Sequence, residues 1–332
     1  MRGRVVVVAL LLAGCGEHAA PTRTATPAAS PEATATPSRS LTPARRVRGR
    51  LPGARAYRAC AAAGDFWPTM VLARTGRRTW VACKWDNRLI SLDGAQIDLD
   101  GSPIAILSAF DALWALDARG TLYEIEDDRV TRTIDLETAA PYNLWQGAGS
   151  LWSMDDRTGE VIRIDPQGEV VAKVAVGDGP ADMVFDGSTA WIVNHRDRAL
   201  VSFDTRTNRA RMVATLDAEV PERIARLDGA LWVTGRGTDL LRVDDRGRIT
   251  KRVEIGGSGI DVVVAGGKLV VPARSEAIDA GGLPTMEALR RVTPSGKVSS
   301  VEPTGRLDVH GLIADGRNVW LVDTTEGIAY RS

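Results

Sequence analysis

Three cysteines (Cys15, Cys60 and Cys83) and three histidines (His18, His195 and His310) are the residues with the most specific chemistry to offer. Their spacing composes no catalytic motif. No GxSxG, P-loop, CxxC or HxE phrase occurs, so neither a nucleophile nor a zinc site is legible. Cys60 and Cys83 fall in the part of the chain that folds, and a disulfide between them closes a loop contributing roughly 3 kcal/mol in an oxidising compartment. The other residues that could recognise something are acids, amides and arginines, and their value depends on what positions them.

That positioning comes from a repeat. Trp80, Trp114, Trp152, Trp191, Trp232 and Trp320 stand at one phase of a recurring phrase, with Val270 taking the place in a sixth copy. Eleven residues earlier come Pro103, Pro141, Pro180 and Pro221, and Gly76, Gly149, Gly187, Gly266 and Gly316 mark a tight turn just before the marker strand. The best copy, Pro180–Asp204, reads as strands over Met183–Phe185, Ala190–Asn194 and Ala199–Phe203, and a fourth strand follows each copy. Four antiparallel strands in about 40 residues make a propeller blade, and such a sheet must stack against others to cover its faces. The fold class is therefore all-β, a seven-bladed β-propeller over residues 45–332. The last copy stops at its third strand, Gly327–Ser332, while Arg45–Gly53 reads as an orphan fourth strand. Pairing the N-terminal strand with the C-terminal blade closes the ring and removes two edges.

In a propeller the loops entering the innermost strand and leaving the second strand share one face. Nine and ten residues before each marker, blades one and two carry Met70/Val71 and Ile104/Ala105. Blades three to seven carry Tyr142/Asn143, Ala181/Asp182, Glu222/Arg223, Ile260/Asp261 and His310/Gly311. An apolar arc facing a polar one suits a ligand pocket, so Tyr142, Asn143, Asp182, Glu222, Arg223, Asp261 and His310 are the binding candidates. His195, in the polar loop Asn194–Asp197, joins them. The other loops after the marker strand, Trp85–Asn87, Arg119, Asp155–Arg157, Arg236 and Asp323, read first as turn chemistry. Asp182, Asp261 and His310 form a weak candidate for a divalent metal. Blade six has about ten extra residues within Arg274–Leu289, read as a lid or as a short surface helix over Thr285–Arg290.

The N-terminal stretch has a different character. Arg2 and Arg4 precede an apolar run, Val5–Leu12, far too short to span a bilayer. It ends in Leu12-Ala13-Gly14-Cys15, which resembles the lipobox of bacterial lipoproteins. The resemblance implies a signal peptide over 1–14 and acylation of Cys15, hence a lipid-anchored, extracytoplasmic protein at the cell surface or in the periplasm. Residues 15–44 are Ala, Thr, Pro and Ser with little to bury, a disordered tether. Residues 1–60 hold ten arginines against Glu17 and Glu32, so the remainder of this neutral chain is acidic, which argues against nucleic-acid partners. A monomer is expected.

The phrase of Pro, apolar strand, Gly hairpin, a Trp flanked by aliphatics and a strand ending in Asp resembles the extracytoplasmic YVTN-type propellers and the virginiamycin B lyase-like repeat family. The resemblance covers residues 45–332 and implies a binding platform for a small-molecule or protein ligand. Its enzymatic branch implies a metal-dependent lyase or hydrolase with a WFTE phrase and a divalent ion among His and Glu. Trp80-Val-Ala-Cys83, Trp191-Ile-Val-Asn194 and Trp232-Val-Thr-Gly235 lack that Glu. A binding module without a cofactor is the expectation, and the lyase is the alternative.

Overall fold

Why the marker must be large and apolar is clear from the joints between sheets. In a computed structural model, residues 44–47, 51, 53–60, 70–259, 261–278, 284–307, 309–324 and 326–332 are described, with backbone alone at 70, 238, 275–278, 284–285, 287, 302–306 and 310. Each marker side chain lies in a cluster built from its own blade and the next. Trp80 packs with Ile106 and Leu113, Trp114 with Leu144 and Leu151, Trp152 with Met183 and Ile192, and Trp191 with Ile224 and Leu231. Trp232 meets Val262 and Leu269, Val270 meets Val309 and Leu321, and Trp320 meets Leu72 and Val81. Alternate residues of the same strand, such as Val81 and Cys83, face the preceding blade instead. The marker strand is thus buried on both faces, so it is mostly apolar on both and its period-2 pattern is weak.

Seven antiparallel sheets follow one another around the ring. Blade four shows the unit: an innermost strand, Pro180–Asp186, the marker strand Thr189–Asn194, then Ala199–Asp204 and an outer strand, Arg209–Thr215. Ring closure follows the expected topology with a shifted strand. Arg55–Arg58 pairs with the last strand, Ile328–Arg331, and Arg45–Val47 adds outside it as a fifth strand. Ala56 reaches the core shared by blades six and seven, which Leu51 and Val47 also join. Cys60, just after the closing strand, forms a disulfide with Cys83 at the end of the marker strand of blade one, with Cα atoms 5.5 Å apart.

Among the described extra residues of blade six, Thr285–Arg290 form strand and not helix. They lengthen a hairpin, Lys268–Ile278 with Pro284–Val292, flanked by an outer strand Val298–Leu307. Residues 279–283 lie outside the described residues. Met286 and Leu289 are fully buried against blade seven, and this packing together with pairing on both sides outweighs the helix propensity of Met-Glu-Ala-Leu-Arg.

Candidate functional site

The innermost strands of blades two to seven share a defect. Their pairing with the marker strand skips a residue at Pro103/Ala105, Tyr142/Trp145, Pro180/Asp182, Pro221/Arg223 and Val309/Leu312, and in blade six the strand breaks between Gly259 and Val263. Blade one pairs without interruption. The skipped positions are those expected at the channel mouth. A bulge turns a side chain out of the ladder and leaves a backbone N–H without its strand partner.

Residue type then decides how that N–H is satisfied. Asn143, Asp182 and Asp261 each cap their own bulge, accepting from Leu144 N–H at 2.8 Å, Met183 N–H at 2.9 Å and Val262 N–H at 2.8 Å. Blade five has Arg223, which has no acceptor to offer. The N–H of Ile224 donates across the joint to Asp182 Oδ2 at 2.9 Å, and Trp145 Nε1 from blade three donates to Asp182 Oδ1 at 2.9 Å. One carboxylate therefore ties three blades together. Burial pushes its pKa up, Arg223 and the Ile224 N–H pull it back, and Asp261 adds repulsion, leaving it at about 6.

Arg223 lies among the same groups. Its Nη1 donates to Tyr142 Oη at 3.2 Å and to Glu222 O at 2.9 Å, and its Nε stands 4.0 Å from Asp261 Oδ1. Burial disfavours its charge, but Tyr142, Asp261, Asp182 and Glu222 more than offset this, so it stays a cation. Next to it, Glu222 Oε1 accepts from Arg236 Nε at 2.9 Å. His195 is close enough to Glu222 and Arg236 to feel both charges. Its Nε2 is 3.2 Å from Arg196 Nη1 and 3.9 Å from Asp156 Oδ1. Burial lowers its pKa, Asp156 opposes and Arg196 assists, so the ring is neutral at pH 7. Arg196 also pairs with Asp178 at 2.6 Å and Asp156 at 3.1 Å.

The structure thus unites Tyr142, Asp182, Glu222, Arg223 and Asp261 in one cluster and sets His195 beside it. Asn143 is exposed, held by its own backbone contact. The His310 side chain lies outside the described residues, as do residues 1–43 with Cys15. Trp145 and Asp178 join the cluster unannounced, and Arg236, read first as turn chemistry, joins it through Glu222. Trp145 had a signal: an aromatic stands where blades two, four and five have Leu107, Val184 and Ala225. No group of three His, Cys, Asp or Glu among the described residues is arranged to hold a metal. Between Asp182 and Asp261 the strand order places Arg223, whose guanidinium supplies the counter-charge a cation would bring. Open polar grooves of about 470 and 510 Å³ lie on the outer strands around Lys251, away from this chemistry.

The loops leaving the marker strands do structural work. Three residues after the marker, Asp117, Asp155, Asn194 and Asp323 are almost fully buried. Asp155 accepts from Arg157 and Thr158 N–H in its turn and from Thr138 and Ala139 on the chain entering the blade. Asn194 donates to Val176 O at 2.8 Å on its own entering chain. Asp117 leaves room only for glycine at Gly101, where a Cβ would strike its carboxylate. In blade one the same position is Cys83, bonded to Cys60.

No protein-family profile and no curated protein sequence matches the chain. Solved structures do match in fold. Virginiamycin B lyase from Staphylococcus aureus is similar over 79% of this chain and 94% of its own, at 16% identity and a TM-score of 0.65. BamB from Moraxella catarrhalis is similar over 88% and 96%, at 13% identity and 0.57. BBS1N, solved in complex with ARL6DN, is similar over 86% and 97%, at 16% identity and 0.66. At such identities the likeness is one of architecture.

Proposed function

We propose that this chain is an extracytoplasmic propeller, lipid-anchored through Cys15 and held off the membrane by residues 15–44, that binds a ligand or protein partner on the face carrying the channel mouth. The observation that carries the reading is the one-sided channel. Blades three to six supply Tyr142, Asp182, Glu222, Arg223 and Asp261 in contact with one another, while blades one and two supply Val71, Ile104 and Ala105 at the same positions. A scaffold that needed only closure has no use for such asymmetry. Propellers with partners exist among the structural neighbours, one of them solved with a bound protein.

A photo-crosslinking side chain at Arg236, exposed on this face, tests the reading against one at Asp228, in the hairpin of the opposite face. Adducts in the cell envelope from position 236 alone are expected; adducts from 228 alone, or equally from both, overturn it. Labelling by a palmitate analogue, lost in Cys15→Ala together with membrane attachment, is expected of the anchor. A Cys15→Ala protein that stays membrane-bound would refute it.

A further inference from the structure

Deepening that reading and resting on it, we infer that the channel mouth is built to take the carboxylate of an amphipathic ligand, with Arg223 Nη2 and the Tyr142 hydroxyl as its donors. The hydrogen bonds of the cluster lead there by elimination. Asp182 is spent on the wall, its oxygens accepting from Met183, Ile224 and Trp145. Asp261 accepts from Val262, and Asn143 from Leu144. These acceptors answer bulge N–H groups, which gives them a structural reason to be where they are.

The donors are not used up in the same way. Arg223 has five N–H hydrogens. Nη1 serves Tyr142 and Glu222 O, and Nε faces Asp261 at 4.0 Å, beyond hydrogen-bond range. Nη2 donates to no acceptor among the described residues. Tyr142 Oη accepts from Arg223, so its own proton points elsewhere, and it too meets no acceptor there. Arg223 Nη2 is not among the buried polar atoms left without a partner, so solvent reaches it. Tyr142 Oη is held to the same guanidinium through Nη1 at 3.2 Å, so Nη2 and the hydroxyl are two donors, one of them cationic, for the two oxygens of a carboxylate.

The rest of the mouth says what carries that carboxylate. Blades one and two place Val71 and Ile104 at the corresponding register positions, both part-exposed and apolar. An apolar body would rest there, with its acid across the channel. Metal chemistry plays no part in this scheme, and the carboxylate would compete with Asp261 for the guanidinium.

The test uses three small probes with one apolar body: 4-phenylbutyrate, 4-phenylbutanamide and 4-phenylbutylamine, titrated into the purified protein by ligand-observed NMR. The acid is expected to bind about tenfold more tightly than the amide, the factor of a charge-assisted hydrogen bond. Tyr142→Phe and Arg223→Lys should each reduce that preference, weakening acid binding more than amide binding. Arg223→Lys touches the joint between blades, so Tyr142→Phe, which removes one hydroxyl, serves where the lysine variant fails to fold. Equal binding of acid and amide, preference for the amine, or binding of none of the three overturns the inference. Crosslinking from position 236 would still succeed in that case if the binding-platform reading holds, so the two failures are separable.

Discussion

Two columns of polar residues run around this ring, and they treat a buried carboxylate in opposite ways. Asp155, three residues after its marker, is buried, which alone would raise its pKa. The Thr138 hydroxyl and the N–H groups of Thr158, Arg157 and Ala139 more than offset that and hold it below the usual range. Asp182, nine residues before its marker, also accepts three N–H groups, yet it rises to about 6. The difference is the neighbourhood. Asp155 meets donors only, in a closed turn, whereas Asp182 shares the channel with Asp261 and is reached by Arg223 without direct contact. A column that pins blades together satisfies its charges completely; a column on a channel leaves charge and donors in reserve.

The pin column should fail hardest. Asp155→Ala strands several buried N–H groups and cuts the link to the entering chain, at a cost of about 4 kcal/mol, readable as a lower melting temperature. A change below about 0.5 kcal/mol would show that the turn holds without it. Cys83 is the same pin in covalent form, at the one joint where the chain ends must be held. Removing the bridge with Cys60→Ala and Cys83→Ala should cost about 3 kcal/mol. If reduction leaves the melting curve unmoved, the closing strand needs no staple.

The channel column should respond to pH. The folded-state pKa of Asp182 lies above its ordinary 3.8, so its contribution to stability is fully present below that value. It is lost as pH rises through about 6. Asp182→Asn removes this loss, so the variant should gain on the parent by roughly 2 kcal/mol between pH 4 and 7.5. Parallel curves would place the carboxyl at its ordinary value. Smallest of all, Arg236→Ala breaks an exposed pair with Glu222 and should change stability by less than about 0.5 kcal/mol. It should nonetheless alter what is captured on that face, and unaltered capture would remove Arg236 from the contact surface.

Much of this was open to reading in the chain. The Trp register announced seven sheets because each joint needs one large side chain, and a missing fourth strand announced closure. The closing strand lies ten residues later than Arg45–Gly53 suggests, since both segments are short, Arg-rich and able to join the same sheet. Blade six misled for a similar reason: Thr285–Arg290 suits a helix locally and becomes a strand only because two neighbours pair with it.

The sequence by itself determined the repeat, the number of blades and the polar arc of the channel, because periodic burial writes itself into residue types. Only the tertiary structure decided which polar groups are consumed. Whether Asp182 answers Ile224 and Trp145, and whether Tyr142 meets Arg223, depends on side chains from three blades converging across bulges. Residues 37 to 81 positions apart carry no local pattern that could announce those contacts.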